Sequence, residues 1–213
     1  MKDVAEISER PTRSNGRETR QHILKCAQAE LEKYGPIKFN ILRVIEESGV
    51  SRSSMYHHFG DRDGIIAAVE VERLISEIRY SNEMLRLALS AATSGETTFE
   101  LLEQALLFAS LPEGRQSRAH RVAVIAAAQN IPQLQESLVE NHIFGDEYLA
   151  ETLEIVQSQG LIKMTQPSID IARFISSIFI GRITVDGLKS DEVDAAWVKT
   201  TVAVLRFLLN PQN

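Results

Sequence analysis

Residues 40–59 read NILRVIEESGVSRSSMYHHF, and this stretch decides the fold. Asn40 is a good N-cap for a short helix over Ile41 to Glu47, which Ser48-Gly49 breaks. Ser51 caps a second short helix running through Phe59. Helices of about two turns do not persist alone in water, so both must be held by packing on a third. Gly49 permits the positive φ of a sharp turn, Val50 plugs the gap between the helices, and Ser51 opens the next one. That is the grammar of a helix-turn-helix, whose second helix enters the major groove of DNA.

Upstream, Ile23, Ala27, Leu31 and Tyr34 fall on one face of a helix over residues 17–34, and Gly35-Pro36 ends it. Residues 1–16 are polar, interrupted by Pro11 and Gly16, and read as a flexible basic N-terminal arm. Downstream, Asp61 caps a long helix carrying Ile65, Ile66, Val69, Leu74, Ile78, Met84, Leu85 and Leu89, ending near Gly95. Thr97 and Glu100 have capping-box spacing and open a helix that stops before Pro112. Further helices are predicted at about 115–129, 132–158, 168–187 and 191–209. No useful segment alternates with period two, so the expected class is all-α with about nine helices. The expected domains are the arm (1–16), a three-helix DNA-binding domain (17–60) and a larger helical bundle (61–213).

The composition, 44% hydrophobic and 24% charged, is ordinary for a globular protein. No apolar run reaches the ~18–20 residues of a membrane span. The opening MKDVAEISERPTRSNG lacks the apolar core of a secretory signal, and Cys26 has no second cysteine to pair with. A cytoplasmic protein without a membrane partner is expected. The net charge of −6 argues weakly against nucleic acid, but its distribution is uneven. Residues 1–64 carry 11 Lys/Arg against 10 Asp/Glu, and residues 65–213 carry 12 against 19. Arg10, Arg13, Arg17, Arg20 and Lys25 are opposed only by Glu18 between residues 10 and 25. A basic front ahead of an acidic body fits a polyanion met at that end, though charge alone leaves a solvated tail equally open.

In the helix after the turn, Val50, Met55 and Phe59 supply inward contacts. Arg52, Ser53, Ser54, Tyr56 and His57 are left on the polar side. Arginine reads guanine O6 and N7 with two hydrogen bonds, and serine bonds to bases or phosphates. Tyr56 and His57 more naturally reach phosphate oxygens, which set register without reading sequence. Helix N-termini near Asn40 and Asp61 offer further phosphate donors.

These residues resemble the TetR family of bacterial regulators: Gly49-Val50-Ser51, Ser53-Ser54, Met55, Tyr56, His58-Phe59 and Asp61-Arg62-Asp63 follow its pattern. The motif spans roughly 50 residues with the preceding helix. Beyond it the likeness is one of helix order. The resemblance implies a homodimeric, ligand-responsive repressor on a palindromic operator, with Asn40, Ser51, Arg52, Ser53, Ser54, Tyr56, His57 and Arg62 meeting the DNA. Five positions depart from the pattern. Ser53 stands for the usual glycine, Arg62 for lysine and Ile45 for alanine, and Glu46-Glu47 place charge unfavourably at a helix C-terminus. The alternative reading is a helical protein-interaction module that does not bind DNA.

Enzymatic templates are missing: there is no G-x-S-x-G, G-x-x-x-x-G-K, H-E-x-x-H or G-x-G-x-x-G. No catalysis and no cofactor is expected. His57 and His58 project about 100° apart on a helix and make a poor metal pair, so no metal site is expected. Cys26 reads most simply as a small core residue.

The last two helices are apolar on more than one face, so each must bury more than one stripe. Either they form the centre of a monomer, or one face meets a second copy across a two-fold axis. A motif that reads palindromes favours the second, with Phe174, Ile178, Arg182, Trp197, Val204 and Leu208 at the interface. Arg182 and Asp186, i and i+4, either pair at that interface or line a cavity. Phe108, His120, Phe144 and Tyr148 lie in the middle helices, where the resemblance places a small-molecule effector. As aromatics at helical spacing they equally fit plain core.

Overall fold

A computed structural model describes residues 13–212, with side chains from Gly16 onward. Among these residues there are ten helical segments and no strand, only an isolated bridge between Ile162 and Pro211. They are α1 (Arg13–Lys38), α2 (Ile41–Ser48), α3 (Arg52–Phe59), α4 (Arg62–Ser90), α5 (Gly95–Ser110), α6 (Pro112–Ala128), α7 (Pro132–Ser158), α8 (Ser168–Gly181), α9 (Ile183–Asp186) and α10 (Asp191–Leu209). The all-α expectation holds. The chain divides into two compact units, one through Glu70 and one from Val71, with the division inside α4.

In the first unit α1 begins at Arg13, four residues before the predicted start, while Arg10 and Pro11 lie outside the described residues. The helical run is broken at Gly35 (φ 70°, ψ 169°), where the glycine-proline stop was expected. Ile23, Leu24 and Ala27 of α1 are buried, as are Val44, Met55, Phe59 and Ile65 of the following helices. α2 and α3 therefore present their apolar sides to one small core, as two short helices must. The buried carboxylate of Glu30 ties α1 to α2. It accepts bonds from the Asn40 backbone N–H (3.1 Å) and from the Arg43 guanidinium, which lies 4.2 Å from the Tyr34 ring centroid. The Arg43 bond holds the Glu30 carboxyl below the usual range against the opposing effect of burial.

The second unit has its core where α4, α5, α7, α8 and α10 meet: Leu89, Phe99, Leu102, Leu153, Val156, Ile171, Leu205 and Leu209, with Ile162 beside them. α5 starts earlier than predicted. Its capping box joins Ser94 and Thr97, each side-chain oxygen accepting the other's backbone N–H at 3.1 and 2.9 Å. The threonine hydroxyl at this N3 position does what Glu100 was expected to do one turn later. The single helix predicted over 168–187 is divided into α8 and α9, with Arg182 between them. There the chain turns its arginine inward. The Arg182 and Arg118 side chains are fully enclosed, with carboxylates for company. Arg118 donates to both carboxylate oxygens of Asp186 at 2.6 Å and to the Ala109 carbonyl at 2.7 Å. Arg182 donates to Asp186 at 3.1 Å, to Ser110 Oγ at 2.8 Å and to Asp194. This polar seam joins α5, α6, α9 and α10. No helix among the described residues is long and apolar enough to cross a membrane.

Candidate nucleic-acid interface

Each side chain of the α2-turn-α3 segment is placed by a local bond that its sequence encodes. Asn40 is extended (φ −127°, ψ 107°) and accepts the Leu42 N–H at 2.9 Å. Gly49 is left-handed (φ 67°, ψ 10°) and returns its N–H to the Ile45 carbonyl at 3.0 Å. A Cβ there would be strained by conformation alone. Ser51 caps α3 through its Oγ, which accepts the Ser54 N–H at 3.1 Å. Below α3, Met55 is fully buried and Phe59 nearly so, which fixes the helix's rotation about its axis.

That rotation leaves Arg52, Ser53, Tyr56 and His57 exposed. Residues i, i+1, i+4 and i+5 share one side of a helix, so these four form a continuous polar face. Tyr56 is 46% exposed although it is aromatic. Ser54 is half-buried, and His58 sits beside Phe59 with ring centroids 6.1 Å apart. Burial first, then the neighbouring His57 and Arg20 charges, push the His58 imidazole down, which favours its neutral form. Glu46 and Glu47 point into solvent.

Two residues after the motif act differently from the sequence reading. Arg62 is turned back onto the α1–α2 connection, donating to the carbonyls of Phe39 (3.4 Å) and Pro36 and to Asp63 (2.9 Å). Its guanidinium serves as a strut for the loop leading to Asn40, which leaves it less free for phosphate than Arg52. Gly64 is the contact the sequence reading missed. A Cβ at this position would stand 2.0 Å from the Phe59 carbonyl oxygen, so only glycine lets α4 start this close to the end of α3. The signal was a glycine one turn into a helix, where the residue is otherwise unfavourable.

In the second unit the expected ligand and interface residues do not all gather. Phe144 and Tyr148 are neighbours (6.0 Å), with Arg79 over one ring and Arg86 over the other. Tyr148 also donates to Glu83. Phe108, 64% exposed, instead lines an open cleft of about 540 Å³ with Leu107, Leu111, Arg115, Asp194 and Val198. His120 is half-buried on α6 and does not line that cleft. The four are spread over α5, α6 and α7, and of them Phe108 alone lines this cleft. Among the interface candidates, Phe174 is exposed and Ile178, Val204 and Leu208 are half-buried. Arg182 is a correction: it is enclosed by its own chain, where three carboxylate or hydroxyl partners compensate its charge, and it cannot face a second copy. Trp197 is half-buried with its ring 4.3 Å from that guanidinium. Phe207, not singled out from the sequence, is 76% exposed on α10. Among the described residues no group of three or more His, Cys, Asp or Glu is placed to hold a metal.

Residues 23–69 match the model of the bacterial regulatory proteins of the tetR family. No curated protein matches the chain. Among solved structures, a TetR-family transcriptional regulator from Pectobacterium atrosepticum is 22% identical, with 95% of this chain and 100% of that one covered at a TM-score of 0.55. Salmonella enterica GusR is 20% identical over 95% and 100%, with a TM-score of 0.54. A TetR regulator from Haloarcula marismortui is 16% identical over 91% and 99%, with a TM-score of 0.55. At these identities the structures speak for the fold, while the match over 23–69 covers α2, the turn, α3 and the Gly64 junction. On that segment, which holds the helix-turn-helix, the chain is similar to the tetR family of bacterial regulatory proteins.

Proposed function

We propose that the protein is a repressor that binds a palindromic operator as a homodimer and releases it when a small molecule enters its C-terminal unit. The observation that carries the DNA-binding part is the polar face of α3. Arg52, Ser53, Tyr56 and His57 stand together in solvent on a helix whose other side is locked by Met55 and Phe59. A helix so held offers a fork-shaped donor for guanine and neighbouring donors for phosphate.

Dimerisation is supported by apolar side chains that α8 and α10 leave in water. Phe174 is 42% and Phe207 76% exposed, with Ile178 and Val204 half-covered near them in sequence. Large aromatics so exposed are candidates for a partner surface. A two-fold pair would present two copies of α3 at the ~34–36 Å spacing of successive major-groove half-sites. An effector that favours the DNA-incompetent shape lowers affinity through a coupling of typically ~1–3 kcal/mol. α4 belongs to both units and is the natural element to transmit it.

The test is selection of bound duplexes from a random pool, followed by titration at several salt concentrations. Recovery of two half-sites related by a dyad, with affinity falling steeply as salt rises, is the expected result. A protein that enriches no sequence and ignores duplex DNA at low salt ends the proposal.

A further inference from the structure

Arg115, Arg118 and Arg121 lie at three-residue spacing along one face of α6, and Arg182 joins them from the α8–α9 junction. Two carboxylates serve this group. Asp186 takes Arg118 and Arg182, and Asp194 takes Arg115 and Arg182. Arg121 receives neither. Arg121 is half-buried, and its Nε is sealed from solvent with no hydrogen-bond partner among the described residues. What it touches is the ring of Phe179, with Cζ 5.6 Å from the centroid, while Arg118 lies 5.4 Å from the same ring. The acid that acts on it electrostatically, Glu77, is paired with Arg73 at 3.2 Å. Burial above all pulls the Arg121 guanidinium below its ordinary value, and the Arg118 charge adds to this. Arg115 likewise has a buried Nε with no partner.

Three of the four guanidiniums thus share two carboxylates, and the fourth, half-buried Arg121, has neither. A buried cation without a counter-charge is costly, and a planar fork with free N–H donors matches a carboxylate or phosphate oxygen pair. We propose that Arg121, beside Arg118 and Phe179, receives an oxyanion group, and that the molecule carrying it is the effector of this regulator. The effector role rests on the function proposed above; the anion site does not. The bound oxyanion completes the charge balance of the seam and accepts the unpartnered N–H bonds. Binding therefore stabilises the unit that holds α6 and α8.

The experiment follows thermal unfolding of the full chain at constant ionic strength with inorganic phosphate, benzoate or uncharged benzamide. Phosphate or benzoate is expected to raise the melting temperature saturably, and the one that does so identifies which oxyanion the site takes; benzamide does nothing. Arg121→Met is expected to melt higher than the parent without ligand, because it removes a half-buried charge that neither seam carboxylate serves, and to lose the anion response. Arg121→Lys keeps a point charge without the fork and is expected to respond with about tenfold weaker affinity. No response of the parent to either anion, or an undiminished response in Arg121→Met, overturns the site. An Arg121→Met variant that melts lower than the parent shows Arg121 already paired and also overturns it. The stabilising anion is then added to the protein on its selected operator, where a 5- to 150-fold loss of affinity is expected. Unchanged affinity with an intact melting response retires the effector role alone. An absence of operator binding under any condition tells against the repressor reading and leaves the anion site standing.

Discussion

Replacing Asp186 with asparagine removes a single charge from a place where two fully enclosed arginines depend on it. Asp186 accepts two bonds from Arg118 at 2.6 Å and one from Arg182 at 3.1 Å, and both arginine side chains have no solvent exposure. Arg182 keeps Asp194 and Ser110, whereas Arg118 keeps only the Ala109 carbonyl. Breaking a buried pair by removing one partner costs about 3–5 kcal/mol, because a buried charge is left uncompensated. For a chain of this size each kcal/mol moves the melting temperature by about 2–4 °C. Asp186→Asn is therefore expected to lower the melting of the C-terminal unit by about 6–20 °C in calorimetry. The surface pair Arg206–Glu96, with side chains 37% and 63% exposed, is the control. Glu96→Gln is expected to leave the melting temperature nearly unchanged, because solvent screens an exposed pair. Equal effects of the two substitutions, or an Asp186→Asn protein as stable as the parent, would refute the view that the seam depends on its charges.

The same carboxylate sets an acid limit. Burial acts to raise the Asp186 carboxyl, but the bonds from Arg118 and Arg182 together hold it below the usual range, so its stabilisation is complete above about pH 4 and lost as pH falls further; acid titrations of parent and Asp186→Asn should converge as pH falls below that point. Gly64→Ala forces a methyl group to within 2.0 Å of the Phe59 carbonyl and is expected to cost about 1–3 kcal/mol, read as a lower urea midpoint of the N-terminal unit. Arg52→Ala is expected to relax preference at one operator position by about 1–3 kcal/mol, whereas Tyr56→Phe weakens all duplexes alike; parent-like titrations for both would show that α3 is not the reading helix. Phe207→Ser on α10 removes about 1.5–3 kcal/mol of burial per copy, and sedimentation should show the dimer dissociating at a concentration at least about a hundredfold higher. An unchanged oligomer would place the interface elsewhere.

The features legible from sequence are those in which cause and effect lie within a few residues. Asn40, Gly49, Ser51 and Asp61 act on backbone groups two to four positions away, so the residues alone determine α2, the turn, α3 and the start of α4. The period of Met55 and Phe59 likewise determines that Arg52, Ser53, Tyr56 and His57 face outward. The capping of α5 was misplaced by a turn because Ser94–Thr97 and Thr97–Glu100 offer the same spacing, and only the packed chain chooses between them.

What the tertiary structure decided lies at long range. Arg62 bonds to Phe39, 23 residues away, and becomes a strut for the DNA-binding unit. Arg118 meets Asp186 across 68 residues, and Arg182 meets Ser110 across 72. A charged side chain carries no mark of its eventual partner. Its role depends on which carboxylates the folded chain brings within bonding distance. For that reason Arg182 could be read as an interface residue when it is enclosed, and Arg121 could pass unnoticed although its unmet charge is the strongest pointer to a ligand.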